Sequence, residues 1–429
     1  MKGVADVAHE RDGQGGAPTR RRVLWSMSAA GALLAAGCAT RGDGAAGNGG
    51  TGSASSAPGH APSGVLAANF NEDPRGTTPE RLRDVRAGWV RGFVPMPEVE
   101  DGHADRQRGI AALLAASHAG RGTVLSLKFP FTGRPLPAPG SAAMDTELNR
   151  VDQVLDATLG TVDILGIGNE PFLETRADDQ RRGRFNAFYE ALARHIVERR
   201  EQRFPDGCRT RLYMGALNHL EDPATHDAAH ARWLAFVHDT HEIEGVDLHP
   251  HVAAFEDTEA YLTYVLPRIR PDQRFLATEF SLVRLWKQHL KDRVPASFAR
   301  SRGVPAGTPV WQALRDAAAH PLPRADWERL LLDSPWFGSH RHFLTRQVQR
   351  FRATGRLAVA AYGLAQGPAM VHDIGPASTP WLLNSVYSNL TVRPSADGTP
   401  APSPVWYDEF RALQRAEDRL PVRTGTVPV

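Results

Sequence analysis

The 429-residue chain has only two cysteines, Cys38 and Cys208. Two cysteines form one intrachain disulfide at most, so a disulfide framework does not hold this fold together. Lysine is scarce as well, because all but four of the 50 Lys and Arg residues are arginine. We interpret the excess of arginine as a coding bias, and not as an RNA-binding signal. The four lysines are Lys2, Lys128, Lys287 and Lys291.

Three further absences exclude classes of function. The basic residues are not clustered in one segment, so the electrostatic footprint of a nucleic-acid-binding protein is missing and we expect no nucleic-acid partner. No G-x-G-x-x-G motif opens the first predicted helix, which argues against a dinucleotide-binding open sheet. No G-x-S-x-G motif is present, which argues against a serine hydrolase.

Residues 1–37 resemble an export signal rather than a part of the fold. The sequence TRRRVLW, residues 19–25, places paired arginines before an apolar run too short to span a membrane, as in bacterial twin-arginine signal peptides. The run ends LLAAGC, and small residues directly before Cys38 resemble a lipobox, in which that cysteine is lipidated. Because Leu34 stands one position earlier than is usual, cleavage by an ordinary signal peptidase stays open, as does an uncleaved anchor.

Residues 38–62 are nearly all small, polar or helix-breaking. Such a segment buries too little apolar surface to fold, so we predict a flexible tether. Together with the signal, it predicts a protein exported to the bacterial cell envelope and attached to a membrane through a lipid on Cys38. We expect the protein to be a monomer.

From residue 63 onward, short apolar runs alternate with amphipathic stretches. The first stretch has Thr78 as a helix N-cap and Pro79 at the first helical position. Eight strands alternating with helices predict parallel βαβ units, and hence an α/β protein with a (β/α)8 TIM barrel over residues 63–429. A doubly wound open sheet is the alternative. The predicted strands are residues 64–70, 88–94, 123–129, 162–168, 211–217, 244–249, 274–280 and 356–363.

The connection after the seventh strand, residues 282–355, is a long insertion. The loops that follow the strands build the active sites of such barrels, so we predict that this insertion forms a wall or lid of the site. The alternative is that its tryptophans build a small local core. Residues 404–420 predict a terminal amphipathic helix. The tryptophans of the insertion are Trp286, Trp311, Trp327 and Trp336.

The C-terminal ends of the strands supply the candidate active site, because they converge on one mouth of a barrel. Two carboxylates fall there, Glu170 just beyond the fourth predicted strand and Glu279 at the end of the seventh. Such a pair can act as acid and nucleophile on a glycosidic bond, about 5–5.5 Å apart in the retaining mechanism. A negative nucleophile should raise the pKa of the neighbouring acid. The other candidates are Asn69, Arg91, Lys128, Asn169, His249, His251 and Tyr362.

The sequences GNEP and TEFS at the ends of these two strands resemble the glycoside hydrolases of clan A, the cellulase-like (β/α)8 group. This resemblance implies that Glu170 is the acid/base and that Glu279 is the nucleophile. It also implies that Asn169 binds the 2-hydroxyl of the sugar. WVRGFVP resembles the family's second-strand segment, which implies that Arg91 contacts the nucleophile.

The remaining candidates match the family less closely. DLHPH resembles its sixth-strand segment, with His249 matching and His251 standing where Tyr is usual. The family commonly places a Trp under the sugar at the end of the eighth strand, whereas this chain has Tyr362, so either Tyr362 or an aromatic of the long insertion would take that place. Lys128 stands where His is frequent, and would bind sugar hydroxyls or the carboxylate of an acidic sugar. Asn69 is a further candidate for binding the substrate.

Each motif also has a simpler interpretation. Glu170 could stabilise the first turn of a following helix, and Glu279 could be only the ion-pair partner of Arg91. The H-x-H pair of His249 and His251 could hold a metal ion, although no supporting set of Asp and His follows in the order that metal-dependent barrel hydrolases use.

Taken together, the sequence predicts a retaining glycoside hydrolase that cleaves the O-glycosidic bonds of a β-linked glycan with two glutamates, without metal or cofactor. Its partner would be an oligo- or polysaccharide. A non-catalytic surface lipoprotein that binds carbohydrate on the same barrel is the alternative. A metal-dependent barrel hydrolase is the third hypothesis.

Overall fold

The eight apolar runs form the eight strands of a closed parallel barrel, in the order in which they occur in the chain. This confirms the predicted (β/α)8 architecture in a computed structural model that describes residues 62–99 and 102–417. The strands are β1 Val65–Asn69, β2 Trp89–Pro95, β3 Gly122–Lys128, β4 Ile164–Ile167, β5 Arg211–Leu217, β6 Ile243–Leu248, β7 Arg274–Ala277 and β8 Leu357–Gly363.

Helices connect the strands and cover the outside of the barrel. The predicted cap is present: the Thr78 hydroxyl accepts a hydrogen bond from the backbone N–H of Arg81, and Pro79 opens the helix. The helices are α1 Pro79–Asp84, α2 Arg108–His118, α3 Ala142–Thr158, α4 Ala177–Arg181, α5 Arg184–Arg203, α6 Ala228–Asp239, α7 Thr258–Val265, α8 Val283–Gln288, α9 Ala296–Arg302, α10 Val310–Ala319, α11 Arg324–Leu332, α12 Pro335–Gly338, α13 Phe343–Ala353 and α14 Trp406–Glu417.

The strands carry two separate apolar layers, because successive side chains point to opposite faces. One buried cluster fills the interior of the barrel, and includes Ala67, Val124 and Ile164. A larger cluster lies between the strands and the surrounding helices, and includes the next residues along the same strands, Ala68 and Leu165. Both faces of the sheet are therefore buried, which explains why the runs are continuously apolar.

The insertion after β7 folds into the six helices α8 to α13 and buries three of its four tryptophans, whereas Trp311 is half-buried. Trp286 and Trp327 are fully buried, and Trp286 packs against Phe337 and against Trp406 of α14. Most of the insertion is thus a local core with the terminal helix, as the simpler interpretation held. The predicted wall is restricted to α8, which borders the mouth of the barrel with Val283, Arg284, Lys287 and Gln288.

The predicted signal peptide, Cys38 and nearly all of the tether lie outside the described residues. In the part of the chain that is described, no helix is long and apolar enough to cross a membrane. Cys208 is a half-buried free thiol. The predicted terminal helix is confirmed as α14, where Trp406 and Phe410 are buried.

Glycine is required where β4 turns into the polar sequence that follows it. Gly168 has φ 105°, in the region that favours glycine. A Cβ atom there would lie 2.6 Å from Cγ of Pro171 and 3.2 Å from Cε1 of Tyr189. In β5, Gly215 allows the strand to approach the backbone of Gly168, since a Cβ at position 215 would lie within 2.9 Å of three atoms of that residue. These two glycines let the chain deliver residues 169 and 170 to the barrel mouth.

We expect Gly168→Ala to lower the free energy of unfolding by about 1–3 kcal/mol, because the new Cβ adds backbone strain and a close contact with Pro171. Gly120→Ala is the matched control: Gly120 also has a positive φ, 77°, but a Cβ there would meet no atom within 4 Å. Urea denaturation of both variants measures the difference. Equal losses would show that the close approach at Gly168 does not constrain the fold.

Candidate active site

The structure brings most of the predicted residues together in one cleft at the C-terminal ends of the strands. A central cavity of about 250 Å³ is lined by six of them, and two more, Arg91 and His249, are fully buried beside it. The six predicted residues in its lining are Asn69, Lys128, Asn169, Glu170, His251 and Glu279.

A buried guanidinium group links the two sides of this cleft. Arg91, on β2, has no exposed surface. Its Nη1 donates to Oε1 of Glu279 at 2.6 Å, and its Nη2 donates to Oδ1 of Asn169 at 2.6 Å. Because the two donors are held in one rigid plane, the ends of β4 and β7 are fixed relative to each other. Ser126 on β3 accepts a third, longer hydrogen bond from Nη2 at 3.3 Å.

The Glu170 carboxylate is held by two donors from the neighbouring strands. Nδ2 of Asn218, after β5, donates to Oε1 at 2.8 Å, and Nδ1 of His249, after β6, lies 3.1 Å from the same oxygen. Nε2 of His249 is 2.9 Å from Oγ1 of Thr278 and 3.4 Å from Oδ2 of Asp247. His249 therefore lies between the carboxylate of Glu170, in the cleft, and that of Asp247, on the other side of the ring.

This arrangement favours the protonated form of His249. Burial opposes its charge, but Glu279, Asp247 and Glu170 outweigh burial and raise the pKa of His249 to about 10. Burial raises the pKa of Glu170, but the hydrogen bond and the positive charge of His249 have a larger effect in the opposite direction. The pKa of Glu170 is therefore lowered overall. The raised pKa expected for Glu170 is thus wrong for the free protein. The sequence did not indicate that His249 would contact Glu170.

The Glu279 carboxylate is ionised, as the sequence predicted. Burial raises its pKa, but His249, Arg91 and His251 together hold that pKa well below its usual range. Nε2 of His251 lies 3.8 Å from Oε2 of Glu279, and Nδ1 of His251 contacts the Ser281 hydroxyl at 2.8 Å. The neighbours of Glu279 therefore favour its charged form.

Tyr362 does not lie where the sequence placed it. Its neighbours Ala361 and Gly363 line the central cavity, whereas Tyr362 points away from the cavity and packs against Phe280 and Trp406 in the layer between strands and helices. The reason is the alternation of side chains along β8: a shift of one residue moves a side chain to the other face. Neither Tyr362 nor residues 282–355 contribute an aromatic side chain to the lining of the central cavity.

Trp381, from the loop that follows β8, lines the cleft together with Phe93 and Phe280. Its ring lies 4.8 Å from that of His251, and it lines the central cavity. The sequence did not indicate Trp381, because no strand end lies nearby in that loop to suggest its position. Asp247 was also missed, although it stands two residues before His249 and points to the same face of β6.

A third carboxyl group was missed as well. Glu174, in the loop after β4, is buried and accepts a hydrogen bond from Nδ2 of Asn169 at 2.8 Å. Burial raises the pKa of Glu174 to about 7, against the opposing effects of Asn169 and Lys128. Glu174 thereby fixes the amide of Asn169, whose oxygen is already bound by Arg91. Glu174 lies five positions after Asn169 in a loop, so only the fold reveals the contact.

One group of side chains has donors close enough for a metal ion. Atoms of Glu170, His249 and His251 lie within 4.8 Å of one another. However, both ring nitrogens of His249 already contact oxygen atoms of Glu170 and Thr278, and the contact with Glu170 orders that carboxylate. The donors therefore fit a hydrogen-bonded network better than a metal site.

The chain was compared with known proteins. No protein-family model matches it, and neither does any curated protein sequence. Among solved structures it is similar to Gas2 of Saccharomyces cerevisiae: a complex with a small compound aligns at 10% identity and a TM-score of 0.43, covering 83% of this chain and 64% of that one.

Two other structures of a Gas2p mutant align in the same range. An apostructure has a TM-score of 0.43 at 10% identity, with 82% of this chain and 60% of that chain covered. A complex with laminaritetraose and laminaripentaose has a TM-score of 0.41 at 10% identity, with coverage of 78% and 57%. The chain thus spans less than two thirds of the length of the structures it matches. Similarity at this level assigns neither a family nor a substrate.

The site predicts a pH dependence of stability. His249 has a pKa of about 10 in the folded state against an ordinary value of 6.5, so its contribution is fully present below about pH 6.5 and is lost as the pH rises towards 10. We expect the free energy of unfolding to fall over this window by up to about 1.4 kcal/mol per pH unit from this group. Gln at position 249 does not titrate, so His249→Gln should lack this part of the slope.

Urea denaturation of the wild type and of His249→Gln between pH 6 and 9.5 measures the effect. The difference between the two curves reports His249 together with the carboxyl groups whose pKa it lowers, Glu170 and Glu279. Parallel curves would mean that His249 is not charged in the folded protein.

Proposed function

We propose that this protein is a retaining glycoside hydrolase in which Glu279 is the nucleophile and Glu170 is the acid/base. The observation that carries the proposal is the pair of carboxylates, delivered by the ends of β4 and β7 to one cavity and held in different surroundings. Glu279 is paired with a buried guanidinium and kept ionised, while Glu170 is bound only by an amide and an imidazole. Two carboxyl groups in different environments suit the two roles that glycosidic cleavage requires.

In the first step, an ionised oxygen of Glu279 attacks the anomeric carbon of the bound sugar. The bond between that carbon and the leaving oxygen breaks, and the leaving oxygen takes a proton from Glu170. A glycosyl ester on Glu279 results. Arg91 keeps Glu279 deprotonated and oriented before the attack, and gives up part of its ion pair as the carboxylate charge is consumed.

In the second step, water attacks the same carbon from the side vacated by the leaving group. Glu170, now a carboxylate, accepts the proton of this water, and the ester bond to Glu279 breaks. Loss of the negative charge on Glu279 in the ester favours the basic form of Glu170 at this stage, because the repulsion between the two carboxylates is removed.

His249 supplies the proton that Glu170 needs at the start. In the free protein the pair of Glu170 and His249 shares a proton that resides on the imidazole. A sugar that covers Glu170 removes water from it and raises the cost of its negative charge, so the proton moves across the 3.1 Å contact to the carboxyl group. Asp247 behind His249 holds the ring in place during this transfer.

The substrate is proposed to be a β-linked oligo- or polysaccharide. The match of Asn169 and Glu170 to the N-E motif of clan A supports this choice. Trp381 offers an aromatic face for the sugar ring, and Asn169, fixed by Arg91 and Glu174, presents an amide towards the cavity. Export to the cell envelope and attachment through Cys38 belong to the same proposal, and the export-signal pattern of residues 1–37 supports them.

A panel of aryl β-glycosides and β-linked polysaccharides, laminari-oligosaccharides among them, tests the activity. We expect Glu279→Gln and Glu170→Gln each to lower kcat by at least about a thousandfold on polysaccharide, because each removes one required chemical group. Glu256→Gln is the matched control, since Glu256 is an exposed glutamate of the loop after β6 that does not line the cleft. Turnover that survives Glu279→Gln would overturn the assignment of the nucleophile.

The covalent step has its own test. A 2-deoxy-2-fluoro β-glycoside with a good leaving group should inactivate the protein and add one sugar mass to the peptide that contains Glu279. Peptide mass spectrometry locates the adduct. Specific binding of the sugars without hydrolysis or adduct would instead support the non-catalytic alternative.

A further inference from the structure

Two larger pockets adjoin the central cavity and share lining residues with it. A pocket of about 640 Å³ near β1 shares Asn71, Phe93 and Met370 with the central cavity, and we call it the β1-side pocket. A pocket of about 570 Å³ near α8 shares Glu170 and Trp381 with it, and we call it the α8-side pocket. The three spaces form a groove with the two carboxylates near its middle, which fits a chain of several sugars.

The position of the carboxylates orients this chain, if the proposed function is right. Of these spaces, Glu279 lines only the central cavity. Glu170 lines both the central cavity and the α8-side pocket. The attacked sugar then lies in the central cavity. The leaving group, which must contact the acid, lies in the α8-side pocket.

The central cavity contains a lysine without a carboxylate partner. Lys128 is half-buried at the end of β3, and its Nζ lies 4.6 Å from the centre of the Phe93 ring. Within residues 62–99 and 102–417 it forms no ion pair. The charge of Lys128 acts on Glu174, but Glu174 is not within ion-pair distance of it.

The α8-side pocket contains a second lysine of the same kind. Lys287, on the exposed side of α8, contacts only the Thr379 hydroxyl, at 3.4 Å, and pairs with no carboxylate in the described part of the chain. Its neighbour Arg284 is different, because Arg284 forms an ion pair with Glu221. Unlike Arg284, Lys287 therefore has an ammonium group that could pair with a negatively charged ligand in this pocket.

The distribution of lysine strengthens this observation. The chain has only four lysines against 46 arginines, and two of the three lysines in the described residues line the groove, one on each side of Glu170. A lysine ammonium is a compact, strongly hydrated point charge, whereas a guanidinium suits planar bidentate pairing. The two ammonium groups lie on either side of the proposed catalytic centre and have no carboxylate partner. They indicate a ligand with a negatively charged group on successive sugars.

We propose that the glycan bound in this groove is acidic, with a uronic acid on each side of the bond to be cleaved. Lys128 binds the carboxylate of the sugar in the central cavity, and Lys287 binds that of the sugar in the α8-side pocket. This proposal rests on the proposed function for the position of the cleaved bond, but the preference for acidic sugars is a property of binding and can be measured without catalysis.

The test compares oligosaccharides that differ only in the C5 substituent. Tetramers of β-1,4-linked mannuronate and glucuronate are titrated calorimetrically into the full-length Glu279→Gln protein beside mannotetraose and cellotetraose. We expect at least one acidic tetramer to bind about tenfold or more tightly than its neutral counterpart at low salt, since a hydrogen bond between charged groups contributes that much. The preference should shrink as ionic strength rises.

Three further variants locate the preference, each made in the Glu279→Gln protein. Lys128→Gln and Lys287→Gln should each weaken the binding of the acidic tetramers several-fold more than the binding of the neutral tetramers. Lys291→Gln is the matched control, because Lys291 is an exposed lysine of the same insertion that lines none of the three spaces. The inference is overturned if the neutral tetramers bind equally well or better in both pairs, or if the acidic preference survives both substitutions.

Hydrolysis is measured separately, so that the two proposals fail independently. Cleavage of neutral glycans that requires Glu279 and ignores both lysines would retain the hydrolase and overturn the acidic substrate. Lysine-dependent binding of acidic tetramers without any cleavage would retain the acidic ligand and overturn the hydrolase.

Discussion

The hydrogen bonds of buried Arg91 are the constraint on which the rest of the site depends. A guanidinium with no exposed surface must find acceptors inside the protein, because an unpaired buried charge costs far more than a folded domain can offset. It finds them in Glu279 and Asn169, 2.6 Å from each. Since these two residues follow different strands, satisfying one side chain on β2 fixes the relative positions of β4 and β7 at the mouth of the barrel.

A second chain of polar contacts starts from Asp247 and reaches the other carboxylate. Asp247 and Thr278 hold one side of the His249 ring, and the other side meets Glu170. The two networks give the two glutamates different neighbours. Glu279 contacts Arg91, which is always charged, and Glu170 contacts His249, which can give up its proton. Such an asymmetry requires an apolar surrounding, because in water the same groups would scarcely affect each other.

Strand order, strand ends and the polar residues after them could be predicted from the sequence because the signals are local. The barrel's strands are buried on both faces and read as apolar runs, and the break at Gly168 is visible as an abrupt change to polar residues. The pairing of Arg91 with Glu279 was predicted too, through resemblance to clan A. The side of β8 that Tyr362 faces could not be predicted, since it depends on the register of β8 in the barrel. The position of Trp381 in the cleft could not be predicted either, because it comes from a loop distant in sequence from the strand ends.

By itself, the sequence determined an alternating chain that closes into a barrel and carries two glutamates to one mouth, because apolar periodicity and strand termini are properties of short segments. Only the tertiary structure decided the protonation of the site. The raised pKa of His249 and the lowered pKa of Glu170 arise from groups far apart in the chain that are brought together in a medium of low polarity. It also decided that Lys128 and Lys287 face one groove. Charge interactions depend on distance in space, and residues 159 positions apart have no defined distance until the barrel closes.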